Sequence, residues 1–406
     1  MFKSLSLKVI IFGFIFTFFS SFGQSFFLGL FNPNIRETLS ITHGQFGSIY
    51  ASATLLSSFI LIWVGKKIDD IDISKFAFFV IVLLAFSCFF FSKISSVMFL
   101  FFAILLMRFS GQGMMSHTAT TTISRYFTKS RGKALSTAWF GLSSAEFILP
   151  VLTIYLLTSI DWRNIWIIIS LIVIGFLPLA SFILVKKLNF ESRETSDDSD
   201  KSVENIKSWK RSEVIKDYRF YILGANMLAM PWITTGIFVY QSFILSSKNW
   251  GPFVIAKSFM AYSILSVITL FISGFLIDKF TSRKILMYMN LPLLLSSIVI
   301  IFFKDPNISF LFLGLIGISN GLANVLGSST WAEIYGVRYI GSIKALTTAL
   351  MVFSTAFGTA LYGLLIDRGY SIEQIATVSA TYISIALIFL FFIRNKLNPT
   401  KNLEIT

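Results

Sequence analysis

Long runs of apolar residues dominate the chain and are separated by short polar segments. A helix needs about 20 apolar residues to span the hydrocarbon core of a bilayer. Twelve windows meet this requirement, at residues 8–31, 45–64, 76–95, 97–124, 134–157, 162–185, 217–245, 252–276, 285–303, 308–332, 345–366 and 373–394. Because backbone groups in lipid must be hydrogen-bonded within their own segment, we expect helices rather than strands. The pattern therefore predicts an all-α polytopic membrane protein.

The composition agrees with lipid as the solvent for most of the chain. Hydrophobic residues make up 55% of the 406 positions, charged residues make up 13%, and the mean hydropathy is +0.77. A water-soluble domain could not bury so much apolar surface. The net charge of +14 does not indicate nucleic-acid binding, because the basic residues lie between the apolar windows and form no cluster. The first window extends to about Phe31 without a small-x-small cleavage site, which predicts a retained helix instead of a secretory signal.

The lysines and arginines predict the orientation in the membrane. An even number of spans puts both termini on one side. If that side is the cytoplasm, 26 of the 34 basic residues fall in cytoplasmic segments, while Arg108 lies inside a window and seven lie near the other side. Basic loops are retained in the cytoplasm. We therefore expect both termini to be cytoplasmic.

The chain divides into two halves of six windows each. A polar stretch at 186–216 separates residues 1–185 from residues 217–406, and its composition predicts a mostly disordered linker. Three short patterns recur in the same order in both halves: Gly65-x-x-x-Asp69 with Gly274-x-x-x-Asp278, Gln24-Ser-Phe with Gln241-Ser-Phe, and Lys133-Ala-Leu with Lys344-Ala-Leu. A parallel repeat of two six-helix bundles is typical of transporters whose site lies between the bundles.

The first of these patterns resembles the best-known motif of the major facilitator superfamily. That motif follows the second helix and reads Gly-x-x-x-Asp-Arg/Lys-x-Gly-Arg-Arg/Lys. The second copy is similar to it through Lys279 and Arg283, with Thr281 in place of the glycine. The first copy lacks the basic residue after Asp69. The resemblance implies that Asp69 and Asp278 cap helix N-termini across the two halves and so help to hold the cytoplasmic side closed.

A further similarity to this superfamily lies in the fourth window. Arg108-Phe-Ser-Gly111 is similar to the Arg-x-x-x-Gly pattern of the family's fourth helix. The resemblance covers nearly the whole chain and implies twelve helices in two pseudo-symmetric bundles that work by alternating access. The segments after the fourth and tenth windows look like those of bacterial members loosely grouped with monocarboxylate carriers. This implies a location in the bacterial inner membrane.

Two charged residues at membrane depth are candidates for chemistry, because such groups are costly in lipid. At about 1.5 Å per residue, Gln112 and Glu146 both lie about 20 Å from the cytoplasmic ends of their helices, and Arg108 lies one turn further out. Arg108 and Gln112 share a helix face, and we expect Arg108 to contact Glu146. Two interpretations remain open. The pair only holds the two helices together, or Glu146 takes up a proton while Arg108 attracts an anionic substrate.

Uncharged polar residues at depth form a second group of candidates. Each of them fits either a substrate contact or an interhelical hydrogen bond, and they are Gln24, Gln241, Asn226, Asn290, Asn320 and Asn324. His117 lies nine residues after Arg108, about 180° around an ideal helix. We therefore expect it to be packed or hydrogen-bonded away from the Arg108 site.

The residues favour a secondary carrier that moves a small organic anion with protons. Proton-antiport export of drugs or metabolites is the alternative, and a sensor or scaffold without transport is an alternative of another class. We expect no enzyme activity, cofactor or metal, since the sequence has no phosphate-binding glycine loop, no metal-ligand cluster and no Ser/His/Asp set outside the membrane. The single cysteine, Cys88, excludes an intrachain disulfide. The expected partners are the substrate, protons and the lipid bilayer, and we expect a monomer.

Overall fold

A computed structural model describes residues 4–127, 131–185, 207–336 and 338–398 of the chain. Within these residues, twelve helices are long and apolar enough to cross a membrane, and no strand is formed. This confirms the predicted fold class. In chain order they are α1 (Ser4–Ser20), α2 (His43–Val64), α3 (Ile73–Ser92), α4 (Val97–Tyr126), α5 (Arg131–Leu157), α6 (Trp162–Val185), α7 (Tyr218–Val239), α8 (Phe253–Phe280), α9 (Ser282–Phe302), α10 (Ile308–Tyr335), α11 (Ile340–Asp367) and α12 (Ile372–Ile393).

The helix pairs that pack most extensively show how the molecule is assembled. Within the first half, α1 packs on α5 and α3 packs on α6. Within the second half, α8 packs on α10 and α7 packs on α11. The two halves meet mainly along α2 with α11 and α5 with α8. A site near the centre can therefore be reached by helices of both halves.

Successive helices run in opposite directions, so their connections alternate between two ends of the molecule. One end, which we call the terminal face, carries residues 65–72, 127, 207–217, 281, 336, 338–339 and 394–398. The opposite end, which we call the distal face, carries residues 29–42, 93–96, 158–161, 240–252, 303–307 and 368–371.

Side-chain caps fix where several helices begin. The Thr42 hydroxyl accepts a hydrogen bond from the Gln45 amide at 3.2 Å, and the Gln45 side chain accepts one from the Thr42 amide at 2.9 Å. Ser371 and Gln374 form the same capping box at the start of α12. At the start of α3 on the terminal face, the Asp72 carboxylate accepts from two backbone amides. These bonds satisfy amides that have no partner within the helix.

Helices α1 and α7 are both broken where a continuous helix is predicted. After a 3₁₀ turn, Gln24 adopts an extended conformation with ψ 153°, and the chain reaches the short helix Asn32–Leu39 through further tight turns. In the second half, Tyr240 departs from helical geometry and the short helix Gln241–Lys248 follows. Hydropathy does not report these breaks because the apolar windows 8–31 and 217–245 continue across them. The two breaks occupy matching places in the repeat.

The two Gly-x-x-x-Asp patterns differ in structure. The first forms a 3₁₀ turn, Gly65–Asp69, directly after α2. In the second, α8 continues without a turn through Gly274 to Phe280 and extends past its predicted end. The chain turns only at Thr281, which has φ 72° and ψ 149°. This backbone region is almost restricted to glycine, and glycine is the residue that the family motif has at this position.

The end of the predicted linker is packed against the second half. Residues 186–206 lie outside the described residues. Further along, the Trp209 amide donates to the Tyr335 carbonyl at 2.9 Å, and the Trp209 ring contacts the Tyr335 ring. Lys207 forms an ion pair with Glu213 at 3.0 Å. For residues 207–216 the predicted disorder is therefore wrong, because a tryptophan gives this segment enough apolar surface to pack.

Candidate functional site

The middle of α4 is wider than an α-helix. Residues Arg108–Met115 form a π-helical segment, a feature that is frequent at functional sites. This segment packs against the break after α1, where a Cβ atom added to Gly111 would lie 2.7 Å from the Gly23 nitrogen. Both glycines are therefore required for the two backbones to approach. The approach brings the break in α1 and the wide part of α4 into one site.

Arg108 lies at the centre of this site and is almost completely buried. Its Nη1 atom donates to the Gly23 carbonyl at 3.0 Å and to the Ser25 hydroxyl at 3.3 Å. The guanidinium carbon lies 5.4 Å from the centre of the Tyr50 ring, whose hydroxyl donates to Ser25 at 3.0 Å. The Nε atom is buried without a hydrogen-bond partner. All of these contacts are neutral, so the positive charge has hydrogen bonds and an aromatic face but no counter-ion among them.

Gln112 and Gln24 complete the site. Both side chains are half-buried, one turn along α4 from Arg108 and at the break in α1, respectively. The Gln112 backbone nitrogen also lies against Gly23. Gln24 thus lies between Gly23 and Ser25, the two residues that accept hydrogen bonds from Arg108, and Gln112 lies four residues after Arg108 in the same helix.

Glu146 lies elsewhere, at the contact between α5 and α8. Its side chain is 8% exposed, and the buried Tyr262 of α8 is close enough to interact electrostatically with the carboxylate. Three residues earlier, the Ser143 carbonyl accepts a hydrogen bond from the Ser263 hydroxyl at 2.6 Å, which joins the two halves. In the described ranges, no ion pair includes either Glu146 or Arg108. The expected Arg108–Glu146 pair is not formed because α1 packs against both α4 and α5, and Arg108 is hydrogen-bonded to residues at the broken end of α1.

Most of the predicted polar residues of the second half form interhelical hydrogen bonds. The fully buried Asn226 accepts from Asn290 of α9, at 2.7 Å through its carbonyl and at 3.0 Å through its side chain. Asn320 donates to the Ser266 hydroxyl at 2.9 Å. Asn324 is exposed. None of these contacts involves the Arg108 site.

A carboxylate of one half caps a helix of the other half at the distal face. Asp367, the last residue of α11, accepts hydrogen bonds from the backbone amides of His43 at 3.0 Å and Gly44 at 2.7 Å. These amides belong to the first turn of α2, where helix N–H groups lack partners and favour negative charge. Cross-half capping thus occurs at the face opposite to the one predicted from Asp69 and Asp278.

Three further side chains join the halves at the distal face. The Tyr240 hydroxyl donates to the His43 carbonyl at 2.9 Å and lies 3.0 Å from the Thr359 carbonyl. Asn32 donates to the Val239 carbonyl at 2.8 Å. The Gln241 amide donates to the Phe26 carbonyl at 2.9 Å and to a carbonyl of its own half. Gln241, predicted as a possible substrate contact, is therefore engaged in a cross-half bond.

Ion pairs at the terminal face stay within one half. The Asp69 carboxylate pairs with Arg125 of α4, and Arg283 pairs with Glu333 of α10 at 2.9 Å. The His117 ring is hydrogen-bonded with the Gly65 carbonyl at 3.0 Å, so the prediction of a hydrogen-bonded histidine is confirmed. Lys279 is exposed, and the side chain of Asp278 lies outside the described residues. In the part of the chain that the structure describes, no hydrogen bond or ion pair joins the halves at this face.

Several residues of the site and of the distal face are not found by sequence reasoning. Ser25 and Tyr50 hold Arg108, but hydroxyl groups in apolar helices are common and carry little signal. Tyr240 immediately precedes the repeated Gln-Ser-Phe pattern, and this position is the one sequence signal that points to it. Asp367 lies at a helix end, where a carboxylate is ordinary.

Comparison with known proteins identifies the fold. A model of the Major Facilitator Superfamily matches residues 13–359. The solved structure of a bacterial homolog of the human lysosomal transporter Spinster, in an inward-facing and occupied conformation, is 14% identical and superposes with a TM-score of 0.76, covering 98% of this chain and 100% of that one. The nucleoside transporter NupG is also 14% identical, with a TM-score of 0.71 over 96% of this chain and 99% of that one. None of the curated proteins compared with the chain matches it.

Proposed function

We propose that this chain, which belongs to the Major Facilitator Superfamily, carries a small organic anion of the monocarboxylate type together with protons. The chain has the fold of a transporter, and its structural neighbours are transporters. The anion and the protons are our proposal. The observation that supports it best is the buried arginine with neutral contacts only.

The electrostatics of Arg108 favour an anionic ligand. A buried cation without a counter-ion is unfavourable, and a carboxylate next to it would supply charge-assisted hydrogen bonds. The guanidinium has an unsatisfied Nε donor, and the half-buried Gln112 and Gln24 are its neighbours along α4 and at the break in α1, respectively. A carboxylate would bind to the guanidinium, and the two amides would contact the remainder of a small molecule.

Glu146 is our candidate for the proton. It is buried at the α5–α8 contact, where the two halves move relative to each other in alternating access. Without a cationic partner, a buried carboxyl is more stable neutral than charged. Glu146 would therefore bind a proton when this contact buries it, and it would release the proton when the contact opens. The substrate and the proton would therefore bind at two separate sites, Arg108 and Glu146, which are coupled through the movement of the halves. They would not compete at a single Arg108–Glu146 pair.

The orientation follows from the basic residues. In the predicted topology, 26 of the 34 lysines and arginines fall in segments on the side of the termini, which supports a cytoplasmic location for the terminal face in a bacterial inner membrane. The distal face, where four side chains join the halves, would then face the outside. In this conformation the Arg108 site would be closed to the outside and would be reached from the cytoplasm.

Ligand-dependent thermal stability of the purified protein tests the anion. We expect a small carboxylate to stabilise the wild type, and we expect Arg108→Gln to weaken its binding at least about tenfold, since a charge-assisted bond is lost. Arg338→Gln removes an exposed arginine at the terminal face and serves as the matched control. Stabilisation by amphipathic drugs alone, unaffected by Arg108→Gln, would instead support the exporter.

Uptake into proteoliposomes under an imposed pH gradient tests the proton. We expect Glu146→Gln to abolish the dependence of uptake on the gradient, because glutamine cannot exchange a proton. Glu37→Gln, which removes an exposed carboxylate at the distal face, should leave that dependence unchanged. Normal uptake by Glu146→Gln with unaltered pH dependence would refute the assignment.

A further inference from the structure

A groove opens on the side of the molecule where α5 and α8 meet, close to the distal face. Its volume is about 520 Å³, and it is lined by Ile148, Val151, Leu152 and Tyr155 of α5 and by Phe253 and Lys257 of α8, among others. The lining therefore comes from both halves of the molecule. Ile148, Leu152 and Tyr155 are exposed on the outer surface of the bundle. Because these helices cross the membrane, the groove opens towards lipid.

The groove has a polar end and an apolar end. Lys257 is four residues from the start of α8, about 6 Å below the distal face, and Tyr155 is two residues from the end of α5. Ile148 and Val151 lie deeper in the membrane on the same helix as Tyr155. One positive charge and one phenol hydroxyl thus lie at headgroup depth, above the apolar side chains that line the rest of the groove. This is the polarity of a phospholipid.

Lys257 has no acidic partner in the part of the chain that the structure describes. None of the ion pairs there includes it, and its ammonium group lies 6.0 Å from the centre of the Phe253 ring. The side chain is exposed. By contrast, Lys248, which lies nearby in the sequence, is buried and paired with Glu373 at 2.7 Å. Lys257 is therefore available to an external anion.

A second groove provides an internal comparison. It has a volume of about 650 Å³ and lies where α2 and α11 meet, also near the distal face. Its polar end carries Thr42, Gln45 and Asp367, and the described residues that line it include no lysine or arginine. An anionic headgroup would be repelled there by the Asp367 carboxylate.

We propose that the α5–α8 groove is a binding site for an anionic phospholipid of the bilayer. The headgroup phosphate contacts Lys257 and Tyr155, and an acyl chain lies along Ile148 and Val151. The lipid touches both halves at once, next to the cross-half bond between Ser263 and Ser143. It therefore stabilises the arrangement in which the halves meet at the distal face. This site is separate from the Arg108 site and does not depend on the substrate proposed above.

Native mass spectrometry of the full-length protein in detergent tests the proposal. Phosphatidylglycerol and phosphatidylcholine with identical acyl chains would be added separately, and the lipid-bound fraction measured. We expect phosphatidylglycerol to bind more tightly, and we expect Lys257→Gln to weaken it about fivefold, the contribution of one basic residue near an anionic lipid surface. Binding of phosphatidylcholine should change little.

Lys93→Gln is the matched control. Lys93 is also exposed at the distal face and also lies over a phenylalanine ring, 5.3 Å from the centre of Phe89, but it lies outside the groove. We expect it to leave phosphatidylglycerol binding unchanged. An equal loss in Lys93→Gln and Lys257→Gln would mean general attraction to basic residues and would overturn the proposal.

A second variant tests the apolar part of the groove, where the acyl chain would lie, without altering its charge. Leu152 is 45% exposed, so a larger side chain can be accommodated on the lipid side without disturbing the core. We expect Leu152→Trp to fill the groove and to displace phosphatidylglycerol while Lys257 is intact. Unchanged binding in Leu152→Trp, or equal binding of the two lipids to the wild type, would contradict the site.

Discussion

The two faces of the molecule are held by different kinds of contact. At the distal face, the side chains of Asn32, Tyr240, Gln241 and Asp367 bind backbone groups of the opposite half. At the terminal face, the described hydrogen bonds and ion pairs, such as Asp69 with Arg125, stay within one half. The difference shows that side-chain hydrogen bonds join the halves at the distal face, and that these bonds go to the main chain instead of forming ion pairs.

The largest expected effect comes from adding a methyl group where the halves approach most closely. In Gly29→Ala the new Cβ would lie against the Phe238 carbonyl oxygen of the other half. Overpacking of this kind costs about 1–3 kcal/mol, so we expect distal closure to be disfavoured by up to about 100-fold. The measurement is the rate at which a cysteine at Gln112 reacts with an impermeant thiol reagent added at the distal face.

Gly251→Ala is the control for this prediction. Gly251 lies in the same face, and an added Cβ there would meet no atom within 4 Å. The native Cys88 is buried and should give no background reaction. If Gly29→Ala and Gly251→Ala react at the same rate, close approach at Gly29 is not needed for closure.

Removal of the cross-half cap should have the next largest effect. Asp367→Ala leaves two amides of α2 to water, which costs about 1 kcal/mol for a lost helix cap. We expect labelling at Gln112 from the distal face to rise about fivefold. Asp305→Ala removes an aspartate of the same face whose carboxylate accepts from the Asn307 amide within its own half, at 2.7 Å. A similar rise in both variants would show that the cross-half position of Asp367 is irrelevant.

The terminal face contains a strained residue whose replacement should stabilise the protein. Thr281 is β-branched, has φ 72° and ψ 149°, and its hydroxyl is buried without a partner. We expect Thr281→Gly to increase the free energy of unfolding by about 1 kcal/mol, the lower end of the cost of such backbone strain. Ser40, with φ 51° and ψ 42°, occupies the left-handed region that non-glycine residues do adopt. Ser40→Gly should therefore give a clearly smaller increase in the free energy of unfolding, and thermal unfolding of both variants measures the difference.

The smallest effect is expected from the exposed ion pair of the terminal face. The Asp69 side chain is 66% exposed and that of Arg125 is 31% exposed, so water screens their attraction. We expect Asp69→Asn, which leaves the bond from Arg125 to the Ile68 carbonyl in place, to lower the free energy of unfolding by about 0.5 kcal/mol and to leave labelling of a cysteine at Gln112 from the distal face unchanged. A change in distal labelling would show that the two faces communicate through this pair.

The helices could be predicted because lipid exposure requires long apolar runs, whatever the details of packing. The breaks at Gln24 and Tyr240 could not, since the apolar windows continue across them and the cause is the close approach of another backbone, as between Gly23 and Gly111. The continuation of α8 past Gly274 was missed for a related reason. A glycine in a motif indicates a turn only if the surroundings require one.

The candidate site was partly predictable for a different physical reason. Arg108 and Gln112 are notable in the sequence because charged and amide groups at membrane depth are rare. Their spacing along one helix is fixed by helix geometry, but the partner of Arg108 depends on where α1 bends. The sequence therefore points to a buried arginine as a candidate, but it does not predict that Gly23 and Ser25 bind it instead of Glu146. Asp367 was missed because its role arises only when α2 of the other half begins beside it.

The main-chain contacts of the distal face also bear on how the protein tolerates substitution. Any residue other than proline has a backbone N–H group, and every residue has a backbone carbonyl. Positions that contribute only backbone atoms, such as Phe26 and Val239, can therefore change identity without losing the hydrogen bond between the halves. The constraint falls on the donors Asn32, Tyr240 and Gln241 and on the acceptor Asp367. A saturation mutagenesis screen should therefore find that these four side chains tolerate few replacements, whereas the buried Phe26 and Val239 should accept apolar residues of similar size.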